Sequence, residues 1–310
     1  MAAVYVGIDV SKDGLDVHVL PEGNAFKVER DPAGMDVLVQ RLQALAPATI
    51  AVEATGGLEA YVVASLLTAE LPVVVLNPAQ VRAFAKALGK RAKTDPIDAA
   101  VIAHFAEATK PEIRPLPDEA TRLLSELVTR RRQITQMLVA ERLRLRSLTS
   151  ARLKQSVSRI VKVLQQELAA LDTEIDDTIH GTPAWRQKED LLRSVPGIGP
   201  GIARTLIAEM PELGTLDRRQ VASLAGLAPF TQQSGRWRGK SFISGGRAHV
   251  RSMLYLGAMA AIRFNPVLRS FYQRLLAAGK AKAVALIAVA RKLLTILNAI
   301  IRDERPWITA

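Results

Sequence analysis

Residues 118–179 contain neither glycine nor proline, and apolar residues recur through them at helical spacing. The stripe runs through Leu123, Leu124, Leu127, Ile134, Met137, Leu138, Leu145 and Leu148, then Val157, Ile160, Val161, Leu164, Leu168, Leu171 and Ile175. A heptad-like stripe with no helix breaker predicts long paired helices. The 310-residue chain is too long for one ordinary core. The expected organisation is therefore a globular domain over residues 1–112, a helical coiled-coil segment for linkage or dimerisation over 113–182, and a second domain over 183–310.

The first of these reads as mixed α/β. VYVGIDV at 4–10 and LDVHVL at 15–20 alternate in the β manner around the turn residues SKDG, and 26–30 adds a third strand. A helical stretch at 32–45 follows, then the short apolar strands TIAVEA (49–54) and PVVVLN (72–77) on either side of a helix around 58–69. Strand–helix–strand order implies a parallel crossover beside the meander. Helical patterns cover about 79–89 and 96–109. Beyond the break at 181-GTPAW-185 the chain reads as all-helical, with turns at 196–201, 228–239 and 244–246 and three amphipathic helices at roughly 247–262, 267–278 and 280–302.

Charge separates the segments. Residues 1–110 hold ten Lys and Arg against thirteen Asp and Glu, 111–180 hold twelve against ten, and 181–310 hold twenty against seven. The net charge of +12 therefore resides in the C-terminal third, which points to a polyanion partner, because each phosphate neutralised by Lys or Arg releases condensed counterions. Cysteine is absent, which excludes disulfides, thiolate nucleophiles and cysteine zinc sites. His18, His104, His180 and His249 show no ligand-like spacing and read as structural or surface residues, so a bound metal must be held by oxygen, which favours magnesium or manganese. The apolar runs at the N-terminus and at 283–290 are too short for a signal or a membrane span, and a cytoplasmic protein is expected.

Four acids carry the candidate chemistry. Asp9 closes the first strand in GIDVSKD, and Glu53 closes the fourth in AVEATGG, where Thr-Gly-Gly lets the chain turn sharply. Ligand crevices in open α/β sheets lie beyond the carboxyl ends of the strands, so both acids face one place. Asp95 and Asp98 in 93-KTDPIDA-99 are three apart on one helix face. Asp95 before Pro96 is equally a helix cap, and each acid alone is ordinary turn or cap chemistry. Together, four carboxylates in one crevice repel strongly unless cations neutralise them. Two divalent ions would do so and would also serve displacement at phosphorus.

The wording of GIDVSKDGLDV, VEATGG, LNPAQVRAFAKA and KTDPIDA resembles the DEDD transposases of bacterial insertion sequences, whose N-terminal domain has the RuvC-like, ribonuclease-H-type fold. SVPGIGPGIARTLIAEM and LAGLAPFTQQSGRWRGKSFISGGRAHVRSMLYLGAMAAIRFNP look like the second domain of that group, so the resemblance covers nearly the whole chain. It implies that Asp9, Glu53, Asp95 and Asp98 hold two Mg2+ (or Mn2+) ions. It implies that Ser234, in QQSGRWRGKS, is the essential serine of the second domain, joining strands through a phosphoserine-type intermediate with the acidic site of one subunit completed by the serine of another. It further implies donor and target DNA, a structured non-coding bridge RNA that guides them, and a homodimer or homotetramer.

The C-terminal motifs also stand on physical grounds. The Pro-Gly-Ile-Gly turn with Gly197 and Gly199 is a helix-hairpin-helix-like pattern whose amides can approach a phosphate, and it is also a common helix connection. Arg236, Arg238 and Lys240, with Arg247 nearby, supply the positive charge that a serine nucleophile or a phosphate-binding loop needs. Trp237 among them either stacks on a base or covers the loop. Three other functions compete: a Holliday-junction nuclease with the acids and no serine chemistry, an actin-like sugar kinase, and a non-catalytic DNA-binding protein. The kinase lacks a second Gly-rich phosphate loop here.

Overall fold

The structure, a computed structural model, describes residues 2–89, 95–113, 118–231, 233–234, 237–239 and 241–308, with Asp95, Gln233, Trp237 and Arg238 described by backbone alone. The chain divides into two compact units, residues 1–116 and 117–310.

In the first unit, β1 (Tyr5–Val10), β2 (Gly14–Leu20) and β3 (Asn24–Glu29) form an antiparallel meander, with Ser11 closing the β1–β2 turn on Gly14. Asp31 caps α1 (Pro32–Leu45) by accepting from the Gly34 amide at 2.7 Å, with proline in the first turn where no amide is needed. The chain continues through β4 (Thr49–Glu53), α2 (Glu59–Thr68), β5 (Val73–Leu76), α3 (Pro78–Ala87) and α4 (Asp95–Thr109). Strands β4 and β5 join the sheet in parallel, giving the order β3-β2-β1-β4-β5. This mixed sheet, a meander extended by a parallel crossover, is compatible with the RuvC-like fold.

Alternation along the strands decides which face takes which helix. Val6, Ile8 and Val10 of β1 and Leu15, Val17 and Val19 of β2 point to one side, where they bury Leu38 and Leu42 of α1 and Val62 and Leu66 of α2. The opposite side is covered by α3 and α4, with Ala51, Leu76, Val81, Ile102 and Ala106 in a smaller core. There α4 comes so close that a Cβ at Gly7 would lie 2.2 Å from the Ala99 carbonyl oxygen and 2.4 Å from the Ala103 nitrogen. Gly7 is what allows the helix to rest on the strand.

The second unit opens with α5 (Glu119–Ser147) and α6 (Ala151–His180), a hairpin of two long helices with Ile134, Leu138 and Leu164 between them and an Arg131–Asp172 ion pair across them. Then come α7 (Pro183–Arg193), α8 (Pro200–Glu209), α9 (Arg218–Leu224), the two-residue strands β6 (Pro229–Phe230), β7 (Gln233–Ser234), β8 (Trp237–Arg238) and β9 (Phe242–Ile243), and finally α10 (Ala248–Phe264), α11 (Pro266–Ala277) and α12 (Lys282–Asp303). Leu124, Leu127, Val128, Ile175 and Ile179 at the base of the hairpin belong to the same core as Leu206, Leu254, Leu293 and Leu297. Helix α12 is long and apolar enough to cross a membrane by length and composition, but half of that window is buried inside the unit.

Candidate functional site

The pairing register builds the N-terminal site. In the parallel β1–β4 pair, Gly7 stands beside Ala51 and Ile8 beside Val52, so one step further Asp9 and Glu53 are neighbours at the carboxyl ends of adjacent strands. Their odd parity puts them on the Gly7–Ala51 side, the side that α4 covers. Helix α4 passes over Gly7 with Ala99 and Ala103, and Asp95 and Asp98 lie in the turn that precedes this contact. Asp98 is four residues before the fully buried Ile102 and is itself half-buried, as are Asp9 and Glu53.

Each of these three acids takes part in an interaction within the protein. The side chain of Asp95 lies outside the described residues, as do Lys93 and Thr94. Among the described residues no group of three or more His, Asp or Glu side chains is disposed to hold a metal ion. The donor set nevertheless fits a hard divalent cation in kind, since it offers carboxylate oxygen with no sulfur or imidazole.

Two further residues shape this end of the sheet. Asp16 of β2 pairs in register with Asp9, is 8% exposed, and has its Oδ2 3.4 Å from Lys27 Nζ of β3, close enough for an ion pair although not for a well-formed hydrogen bond. The signal was present in the sequence, since Asp16 is the one charge between Leu15 and Val17 in an apolar strand. The loop after Glu53 is closed by Glu59, whose Oε2 accepts from the Thr55 amide (3.0 Å), the Thr55 hydroxyl (3.1 Å) and the Gly57 amide (2.8 Å). Burial pushes the Glu59 carboxyl up, but these donors outweigh it and hold its pKa below the ordinary value. Gly56 and Gly57 take positive φ (76° and 113°), the conformation that turns the chain back toward α2.

In the second unit, Ser234 is exposed and pairs with Trp237 in a two-residue hairpin whose turn, residues 235–236, lies outside the described residues. Arg236, Lys240 and the side chains of Arg238 and Trp237 lie outside them as well. The stem is fixed: β6 pairs with β9, and Phe230 and Phe242 stack with ring centroids 6.1 Å apart. Its far end is held by Arg251, which donates to the Gly245 carbonyl at 2.6 Å, and by Arg247, whose guanidinium is engaged bidentately by Glu212 at 2.6 and 2.7 Å. Arg247 thus has a protein partner that its place in the sequence did not suggest. Beside it, His249 Nδ1 lies 2.6 Å from Glu209 Oε1, a structural contact.

The glycine turn also has a packing explanation. Gly197 has φ 108°, and a Cβ there would lie 2.6 Å from both Cα and N of Ala261 in α10, so the residue is required for helix contact. Gly199 is the N-cap of α8 with open space at its Cβ position, and no side chain caps that helix. Arg204 from the following turn links α6, α7 and α8, donating to Asp176 and, at 3.0 Å, to the fully buried Glu189.

Comparison with known proteins adds to this geometry. Residues 6–152 match a family described as Transposase, of the DEDD type, and residues 189–273 match one described as Transposase IS116/IS110/IS902 family. The pilin gene-inverting proteins of Moraxella lacunata and Moraxella bovis are each 29% identical over 320 aligned residues, covering 99% of this chain and 98% of theirs. The 42 kDa protein of insertion element IS900 from Mycobacterium paratuberculosis is 34% identical over 161 residues, 49% of this chain and 39% of that protein.

Proposed function

We propose that the chain, similar to DEDD transposases over residues 6–152 and to the IS116/IS110/IS902 transposases over 189–273, is a DNA recombinase of that group, with acidic, metal-dependent chemistry carried by its first unit and serine chemistry by its second. One observation carries the reading. Parallel pairing of β1 with β4 runs Asp9 beside Glu53 at the carboxyl ends of adjacent strands, on the face covered by α4, the helix that opens with Asp95 and Asp98.

Asp9, Glu53, Asp95 and Asp98 would hold Mg2+ or Mn2+, two ions per site. When bound, such ions neutralise the carboxylates and stabilise the charge that develops on phosphoryl oxygens. The remaining work belongs to side chains of this chain. Asp9 and Glu53 are set by strand ends rather than by loops, which keeps their separation constant. Glu59 fixes the loop after Glu53, and Asp16, ion-paired to Lys27, orders the neighbouring strand.

In the second unit, Ser234 Oγ would attack the scissile phosphorus. A P–O bond forms to the serine, the P–O bond to the leaving deoxyribose oxygen breaks, and the hydroxyl proton leaves with that oxygen or a water. Arg236, Arg238 and Lys240, within six residues of the serine, supply the positive charge that favours the alkoxide. Gly197 and Gly199 contribute by shaping the entry to α8, and Arg247 by anchoring the hairpin stem through Glu212. Donor and target DNA, a structured guide RNA and a homodimer or homotetramer in the bacterial cytoplasm complete the assembly.

The test is paired substitution. Asp9→Asn with Glu53→Gln should abolish strand exchange on a donor–target substrate and reduce Mn2+ binding measured calorimetrically. Ser234→Ala should abolish exchange while leaving Mn2+ binding intact. Strand exchange by the Ser234→Ala protein would remove the serine step and favour a nuclease-type reaction by the acids alone.

A further inference from the structure

The α5–α6 hairpin segregates its charge along its length. Residues 139–163, the outer part with the connecting turn, carry seven cations (Arg142, Arg144, Arg146, Arg152, Lys154, Arg159 and Lys162) against one acid, Glu141. All seven are exposed. Arg144 pairs with Glu141; among the described residues the other six make no ion pair. The inner part of α6 is the reverse, with Glu167, Asp172, Glu174, Asp176 and Asp177 and no Lys or Arg.

The helix dipole accounts for Arg144 and Arg146 in the last turn of α5 but not for the order in α6. The N-terminus of a helix favours anions and its C-terminus cations, yet α6 begins with Arg152 and Lys154 in its first turn and carries Asp176 and Asp177 near its end, before His180. Nor do the outer residues build a core of their own. Leu143, Leu153 and Val163 among them are more than half exposed, whereas the buried contacts between the two helices lie further in, at Ile134, Leu138 and Leu164.

We propose that this basic hairpin tip is a DNA-binding surface, distinct from the serine-bearing region, that grips the phosphate backbone of duplex DNA without reading its sequence. From Arg152 to Lys162 the helix rises about 15 Å, a length over which each strand of a duplex presents about four phosphates. A second copy of the chain is a poorer occupant. Tip against tip would oppose like charges, and of the five acids on the inner part of α6 Asp172 and Asp176 are already engaged by Arg131 and Arg204, leaving three against the six tip cations that make no ion pair among the described residues. Arg144 apart, the side chains are long, exposed and without an ion pair among the described residues, the form in which Lys and Arg contact the phosphate backbone.

Salt dependence of binding tests this on the full-length protein. Affinity for a ~30-bp duplex, read by fluorescence anisotropy in EDTA across a KCl series, reports phosphate contacts and is independent of any divalent-ion chemistry, so it stands or falls separately from the proposed active site. Replacing Arg152, Lys154, Arg159 and Lys162 together by Gln should flatten the slope of log K against log[salt] by about 0.9 per lost contact, roughly 3 to 4 in all. Arg142→Gln with Arg146→Gln should flatten it by about 2, and Arg152→Lys with Arg159→Lys should leave it unchanged. An unaltered slope and affinity in the Gln variants overturns the proposal. So does a fall in oligomer mass by light scattering with DNA binding intact, which would make the tip a protein interface, or a loss confined to a structured RNA probe.

Discussion

The contact between Gly7 and α4 offers the sharpest test of how the fold sets the proposed acidic site. A Cβ at position 7 would lie 2.2 Å from the Ala99 carbonyl oxygen, where real Cβ contacts do not fall below 3.0 Å, so Gly7→Ala requires α4 to retreat from β1 by about 0.8 Å. The opposing atoms are backbone, and no rotamer change relieves them. Overpacking of this kind costs about 1–3 kcal/mol, which for a domain of about a hundred residues lowers Tm by roughly 4–8 °C per kcal/mol. In the proposed site the same retreat would shift Asp98 relative to Asp9 and Glu53, and a misplacement near 1 Å in a catalytic constellation costs about a hundredfold in rate. The assay is thermal unfolding of the purified protein, followed by strand exchange below the shifted midpoint. Adding Ala103→Gly should not rescue either quantity, because the clash is with the main chain. If Gly7→Ala melts like the parent and exchanges strands at the same rate, the close seating of α4 does not govern the site.

Three further outcomes follow from side-chain chemistry. Glu59→Ala should cost about 0.5–2 kcal/mol, the range of a lost helix-capping carboxylate. Because the folded Glu59 is more acidic than the unfolded one, its contribution is present above the ordinary value of 4.5 and lost as pH falls through the lower folded value, so the urea midpoints of the two proteins should converge in acid. Arg204→Ala leaves the buried Glu189, among the described residues, with Arg193 at 3.9 Å as its remaining ion-pair partner, and should destabilise the second unit by about 3–5 kcal/mol in chemical denaturation, with Arg204→Ala/Glu189→Gln recovering part of the loss. Asn298→Leu removes the acceptor of the Gly214 amide and the donor to the Leu216 carbonyl, both at 2.8 Å and in a buried setting; about 2 kcal/mol or more should be lost, read in the same denaturation experiment.

Much of the architecture was legible because local patterning and long-range packing agree. The alternation of GIDV and LDVHVL, the turn residues between them and the Asp31-Pro32 and Asn77-Pro78 helix starts produced strands and helices close to the expected positions. Two-residue pairings such as β7 with β8 were not legible, since so short a ladder leaves no periodicity to read. Membership of one core was also hidden: nothing in the heptad stripe says that Leu124, Val128, Ile175 and Ile179 share a core with residues of α8, α10 and α12 while Ile134, Leu138 and Leu164 form a separate one.

The chain's residue order by itself determined the element types, the segregation of charge and the identities of the candidate acids and serine, because these depend on spacing along one strand or helix. Tertiary structure alone decided which groups are committed elsewhere. Arg247 faces Glu212, Asp16 faces Lys27, Arg204 holds Glu189, and Gly197 serves the approach of α10. Each pairs residues that the chain brings together only on folding, since a charge or a bare Cα takes its role from what lies a few ångströms away in space.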